Sequence, residues 1–325
     1  LQIAVYRGHS NIVKLLLQHG ADVNVQRSKW GSALYVAAMK GYKDITELLL
    51  QHGADINSQN DKYGTAIHAA ADQNHKDIIE ILCKHDANVN AQGGEYGFAV
   101  QAAAYQGNED IVKFLLDNGA NVNAQGGEYG TAIQAAAYWN HRNIIELLLT
   151  YGADVNAQSG QYGTAIHATA CRGDKNTIEF LLQHGANVNA QGGGYGTAIQ
   201  AAAYWNHRDI IEILLEHGAD VNLQGGEYGT AIQAAAYRGY KKTIELLLKY
   251  GADVNIQGGE YGTAIQAAAC GNNKDIVELL IQYGADINAI NEYPFNRYYS
   301  YPDFIPMAPL PEVPDIFQCE ETSMM

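Results

Sequence analysis

A strict internal period limits what this chain can become. An aromatic residue followed by glycine stands at Trp30-Gly31, Tyr63-Gly64, Tyr96-Gly97, Tyr129-Gly130, Tyr162-Gly163, Tyr195-Gly196, Tyr228-Gly229 and Tyr261-Gly262, and every step is 33 residues without insertion. The fullest version of the unit is residues 126–158, GGEYGTAIQAAAYWNHRNIIELLLTYGADVNAQ. A unit this short cannot bury its own apolar face, so copies must stack into an elongated array with a quasi-linear core. At 325 residues and 47% hydrophobic content the chain has material for two globular domains, but the period argues for one array.

Each unit reads as two short helices. Thr131 is a suitable N-cap for Ala132 to Tyr138, and Ala135, Ala136 and Ala137 combine high helix propensity with very little bulk, so that helix can be approached closely. A second helix, about Asn143 to Tyr151, spreads Ile144, Ile145, Leu147, Leu148 and Leu149 over a broad apolar surface and leaves Glu146 and Thr150 for solvent. Gly152 suits a left-handed stop, and Asp154, Val155 and Asn156 lead into a turn. Asp44, Asp77, Asp110, Asp209 and Asp275 oppose the positive end of the second helix's dipole, a habit that Lys242 breaks.

In order and spacing, T-A-I-Q-A-A-A-x-x-G-x-x-x-I-I-E-L-L-L-x-x-G-A-D-V-N-A resembles the ankyrin repeat, over residues 1–290. The resemblance implies an all-α solenoid of nine helix pairs with projecting β-turn fingers and a concave binding face. Two departures stand out. The family's T-P-L-H reads T-A-I-Q in most units, with the histidine kept at His68 and His167, which predicts weaker helix starts and a weaker Thr–His bond. The Asp heading the family's finger is Gly in most units, as at Gly126, while Asn60 is an exception, and Gly-Gly-Glu-Tyr-Gly predicts looser fingers.

The G-G-x-Y-G-T-A-I-Q-A-A variety is similar to ankyrin arrays of filamentous fungi, often the C-terminal part of large NACHT-type NTPases. This implies an alternative role as the ligand-sensing arm of such a receptor. The identical stretches 138–142 and 204–208, both YWNHR, lie 66 residues apart and suggest duplication of a two-repeat block. Leu1 aligns with Ile133, in the middle of a first helix, so a fragment of a longer polypeptide or a mispredicted gene start is expected.

After Ile290 the pattern breaks. Residues 291–325 form a Tyr/Pro-rich tail holding all 6 prolines. Two roles fit it: Tyr298 to Phe304 folding back as a cap on the ninth repeat with the rest extended or disordered, or Pro306 to Pro314 serving as a polyproline II ligand.

Charge and composition narrow the partners. The net charge of −15, with no Lys/Arg block to neutralise phosphates, argues against nucleic acid and favours a protein partner with a basic patch. No uninterrupted apolar run approaches the ~18 residues of a membrane span. A soluble cytoplasmic protein is expected, with the nucleus left open. Cys83, Cys171, Cys270 and Cys319 show neither zinc-site nor disulfide-framework spacing and read as free thiols. His19, His52, His85, His184 and His217 occupy one repeat position, about 10 Å from one unit to the next, so they suit helix C-termini better than a shared metal. Glu95, Glu128, Glu227 and Glu260 form a row of finger carboxylates without a pocket for substrate between them. No catalytic residue, cofactor or metal site is read from the chain.

Variation among the units locates the candidate site. At the two positions ending the first helix the units read Tyr6-Arg7, Met39-Lys40, Asp72-Gln73, Tyr105-Gln106, Tyr138-Trp139, Cys171-Arg172, Tyr204-Trp205, Tyr237-Arg238 and Cys270-Gly271. By resemblance these positions face the concave groove beside the fingers. The expected partner-binding residues are therefore Tyr105, Tyr138, Trp139, Arg172, Tyr204, Trp205, Tyr237 and Arg238, with finger-tip Glu128 and Glu227. The competing reading is that these rings stack on one another and seal the first helices.

Overall fold

The structure, a computed structural model, describes residues 1–25, 31–59 and 64–289. Among these, eighteen helices alternate as first and second members of successive pairs, from Gln2–Tyr6 with Ser10–Gln18 to Ala264–Cys270 with Lys274–Gln282. The nine expected pairs are present, and the fold is the all-helical repeat solenoid. The tail, with both of its expected roles, lies outside the described residues, as do Trp30, Asn60 and Tyr63.

In the central unit the first helix spans Ala132–Tyr138 and the second Arg142–Thr150. Ala135, Ala136 and Ala137 are buried, so neighbouring first helices meet across methyl groups and lie closer than neighbouring second helices do. A stack tighter on one side curves toward that side, which here is the side of the first helices. Ile144, Ile145 and Leu148 fill the space between units. The second helix ends as its residues predict: Gly152 sits at φ 84°, and the Ala153 N–H reaches back to the Leu148 carbonyl at 3.0 Å. In the equivalent place His19, His52, His184 and His217 each put Nδ1 2.8–2.9 Å from the carbonyl four residues earlier.

Where the loss of His was expected to weaken the joint, the Gln in its place makes bonds of its own. Gln134 is fully buried; its Oε1 accepts from the Thr131 hydroxyl at 2.9 Å, and Thr131 accepts in turn from the Gln134 N–H. Its Nε2 then reaches the following unit, 2.6 Å from the Gly163 carbonyl and 2.9 Å from that of Ser159. In His167 the Thr164 hydroxyl lies 2.7 Å from Nδ1, leaving Nε2–H to donate to the Gly196 carbonyl at 3.1 Å. A neutral imidazole has one N–H where an amide has two, so glutamine can serve more carbonyls of the next finger.

The fingers are not isolated hairpins. Each closes on itself, as where the Gly126 N–H donates to the Gly130 carbonyl at 2.9 Å. Each also binds its neighbour through the tip: Glu128 N–H to Glu95 carbonyl, then Gln161 to Glu128, Gly194 to Gln161, Glu227 to Gly194 and Glu260 to Glu227, at 2.8–3.3 Å. The glycines allow this close approach. A Cβ on Gly127 would lie 2.2 Å from the carbonyl of Tyr96. A second ladder runs below, where Asn123 accepts from the Asp154 N–H at 2.8 Å and donates to the Gly152 carbonyl at 3.0 Å.

These joints give two measurable consequences. Gln134→Ala removes the amide donor from buried carbonyls of the next finger and is expected to cost about 1–3 kcal/mol, read as a lower urea midpoint, while Gln134→His retains most of the stability. Burial pushes the His68 and His167 rings down to about 4. Unfolded, they titrate near ~6.5, so the unfolded chain takes up these protons first. Their stabilising contribution is complete above that value and is lost as pH falls toward about 4. A His68→Gln, His167→Gln double variant should show a flatter loss of stability over this window in urea titrations at stepped pH.

Candidate functional site

The ends of the first helices and the fingers together build an aromatic wall. The ring that closes a first helix lies between the tyrosine of its own finger and that of the next. Centroids follow one another as Tyr96–Tyr105 at 4.9 Å, Tyr105–Tyr129 at 5.1 Å, Tyr129–Tyr138 at 5.6 Å and Tyr138–Tyr162 at 4.6 Å. A second run continues as Tyr195–Tyr204 at 5.2 Å, Tyr204–Tyr228 at 4.9 Å, Tyr228–Tyr237 at 5.7 Å and Tyr237–Tyr261 at 4.7 Å. Cys171 occupies the ring position between the runs; burial pushes its thiol up to about 12.

This wall separates the expected site residues into two groups. Tyr105 and Tyr138 are only 7% and 3% exposed, because the finger tyrosine of the following unit rests on each ring. For these two the geometry is that of a seal, and they offer a partner little surface. Tyr204 and Tyr237 remain partly exposed, as do Trp139 and Trp205. Trp139 stands edge-on to Tyr138 at 5.4 Å and to Tyr105 at 5.2 Å, with its indole N–H buried. Trp205 repeats this against Tyr204 at 5.2 Å, with its N–H also buried. Both indoles thus turn an apolar edge outward.

The arginines lie over these rings. Arg172 sits 5.1 Å from the Tyr138 centroid and 5.2 Å from that of Trp139, and Arg238 sits 4.8 Å from Tyr204. Lys40 stands over Tyr6 at 4.7 Å in the same relation, a cation of one unit on the ring of the unit before. The Arg238 guanidinium also donates to the Tyr240 hydroxyl at 3.1 Å. Both arginines are exposed, and among the described residues the ion pairs found are Lys175–Glu179 and Lys274–Glu278, both along second helices.

Opposite this floor the finger row carries acid. Burial, and then the charge of Glu95, holds the Glu128 carboxyl above the ordinary range. Burial, and then Glu260, does the same for Glu227. The tip ladder causes this, since it sets successive carboxylates side by side. The surface can present cations backed by aromatic faces along its floor and carboxylates along its rim, which suits binding.

Four contributors escaped the reading of the sequence. Tyr129, Tyr162 and Tyr228 belong to the wall although they served there only as markers of the period; the signal was present, since they share the spacing of the helix-ending rings. Asp72, at a variable position, is held by Gln106 at 2.8 Å and Gln73 at 2.7 Å. The burial of Cys171 predicts that a variant with Cys83, Cys270 and Cys319 changed to Ser gives no reaction with an aromatic disulfide at about pH 8 when native, and one full thiol when unfolded in guanidinium.

The family model described as ankyrin repeats, in three copies, matches residues 1–93, 92–159, 134–225 and 222–291. A search of curated proteins finds no match. Among the described residues no helix is long and apolar enough to cross a membrane, and no three metal-ligating side chains gather. The helix pairs, the laced fingers and a match running through nearly every unit agree, and the chain belongs to the ankyrin-repeat family.

Proposed function

We infer that this chain is a non-catalytic scaffold that takes a protein partner along the groove between its first-helix ends and its finger tips. Ankyrin repeats generally mediate protein–protein interaction and are typically non-catalytic. The observation that carries the reading is the row Trp139, Arg172, Trp205 and Arg238. These side chains reach the surface in register, on an otherwise constant scaffold, at the position where the units differ most. Tryptophan and arginine are the residue types that most often dominate binding energy, and here both are held by rings behind them. Tyr204 and Tyr237 add their exposed parts, while Tyr105 and Tyr138 serve from behind as support.

Glu128 and Glu227 form the rim of the same groove. Each sits beside another carboxylate, Glu95 or Glu260, so an arriving Lys or Arg relieves repulsion as well as forming a pair. With the net charge of −15, this favours a partner with basic side chains facing the fingers. A sensor arm of a larger receptor, the alternative reading, would take its ligand on the same surface.

The experiment is affinity capture on the purified array, comparing the natural sequence with Trp139→Ala, Trp205→Ala. Capture of the specific partner is expected to fall at least about tenfold while circular dichroism and thermal midpoint show the array still folded. Undiminished capture by the folded variant overturns the groove as the partner face.

A further inference from the structure

Two subsites in the groove are copies of one design. In each, a Tyr-Trp pair ends a first helix, the indole N–H is buried, and an arginine from the next unit lies over the pair's tyrosine. Their supports match too. His141 donates from Nε2 to the Tyr105 carbonyl at 3.1 Å, and His207 does so to the Cys171 carbonyl at 3.1 Å. The Thr177 hydroxyl bonds Asn140 Oδ1, and the Thr243 hydroxyl bonds Asn206 Oδ1 at 2.7 Å. Arg172 and Arg238 are therefore held in equivalent positions two repeats apart.

Neither guanidinium is neutralised within the chain's described residues. Asp174, the acid nearest Arg172 in sequence, is committed elsewhere: one oxygen accepts from the Thr177 N–H at 2.7 Å and the other from Asn140 at 2.9 Å. Arg238 is met by the hydroxyl of Tyr240. Both arginines are exposed, each with its guanidinium over a ring of the preceding unit. A planar fork pre-positioned in this way suits a bidentate carboxylate, which gains hydrogen bonds without displacing an internal ion pair.

We propose that the groove floor binds an extended acidic segment of a partner protein, placing one carboxylate side chain on Arg172 and a second on Arg238. Stacked helices lie about 10 Å apart, so two units separate the arginines by about 20 Å. An extended chain rises about 3.3 Å per residue and crosses that distance in about six residues. The partner's segment carries Asp or Glu at positions about six apart, with small or apolar residues between them to lie on the indole edges of Trp139 and Trp205. The finger carboxylates flank this floor, so basic residues outside the two anchors meet the rim and long unbroken acidic runs are disfavoured.

The proposal rests on the groove as the partner face, and its test separates the two. Labelled peptides with two glutamates six positions apart, two glutamates three apart, and two lysines six apart are titrated against the full array by fluorescence anisotropy at low salt. The six-apart glutamate peptide is expected to bind at least about tenfold tighter than the other two, and Arg172→Gln or Arg238→Gln each removes that advantage. Arg172→Lys, which keeps charge but loses the fork, is expected to fall between. Equal binding of all three peptides, preference for lysine, or unchanged binding by the folded Gln variants overturns the acidic-segment proposal. If partner capture still depends on Trp139 and Trp205 in that event, the groove stands as the partner face and only its proposed ligand falls.

Discussion

The structure depends on hydrogen bonds that leave one unit and end in the next. An array of short helix pairs has no central core, so each pair must satisfy its polar groups against a neighbour as well as bury its apolar face. The buried amide at the third position of the first helix does this. Gln134 accepts from its own Thr131 and donates to carbonyls of the following finger, and Gln200 and Gln233 reach the next unit in the same way. Because that side chain joins the helix start to the neighbouring finger, helix capping and repeat stacking become one event.

The fingers then acquire a property that hairpins lack. Bonded tip to tip from Glu95 to Glu260, they form a continuous rim whose glycines allow backbones to meet where a Cβ would collide. The same closeness crowds carboxylates and raises Glu128 and Glu227 above their ordinary range. It also lowers the finger tyrosines onto the ends of the first helices, where burial holds phenols such as those of Tyr129 and Tyr162 in the neutral form.

Much of this was legible in the residues. The period gave the number of pairs; Thr131, the alanines and Gly152 gave the helix limits to within a residue or so; the histidines at the second helix ends do bond the free carbonyls there. Variation at the helix-ending positions pointed to Trp139, Arg172, Trp205 and Arg238, which do reach the surface together. Burial of Tyr105 and Tyr138 was less legible, since the ring covering each belongs to the next finger and its reach depends on how closely two units stack. Gln for His was misread for a similar reason: the donors gained by the amide meet carbonyls that lie beside it only after the units assemble.

The sequence by itself determined the repeat, its helices and its turns, because those follow from spacing, propensity and capping within 33 residues. Tertiary structure alone decided which polar and aromatic groups of neighbouring units meet. That outcome depends on how closely the alanine-faced helices stack, and it is this closeness that seals some tyrosines, buries the indole N–H groups and leaves two arginines braced on rings without a carboxylate partner among the described residues.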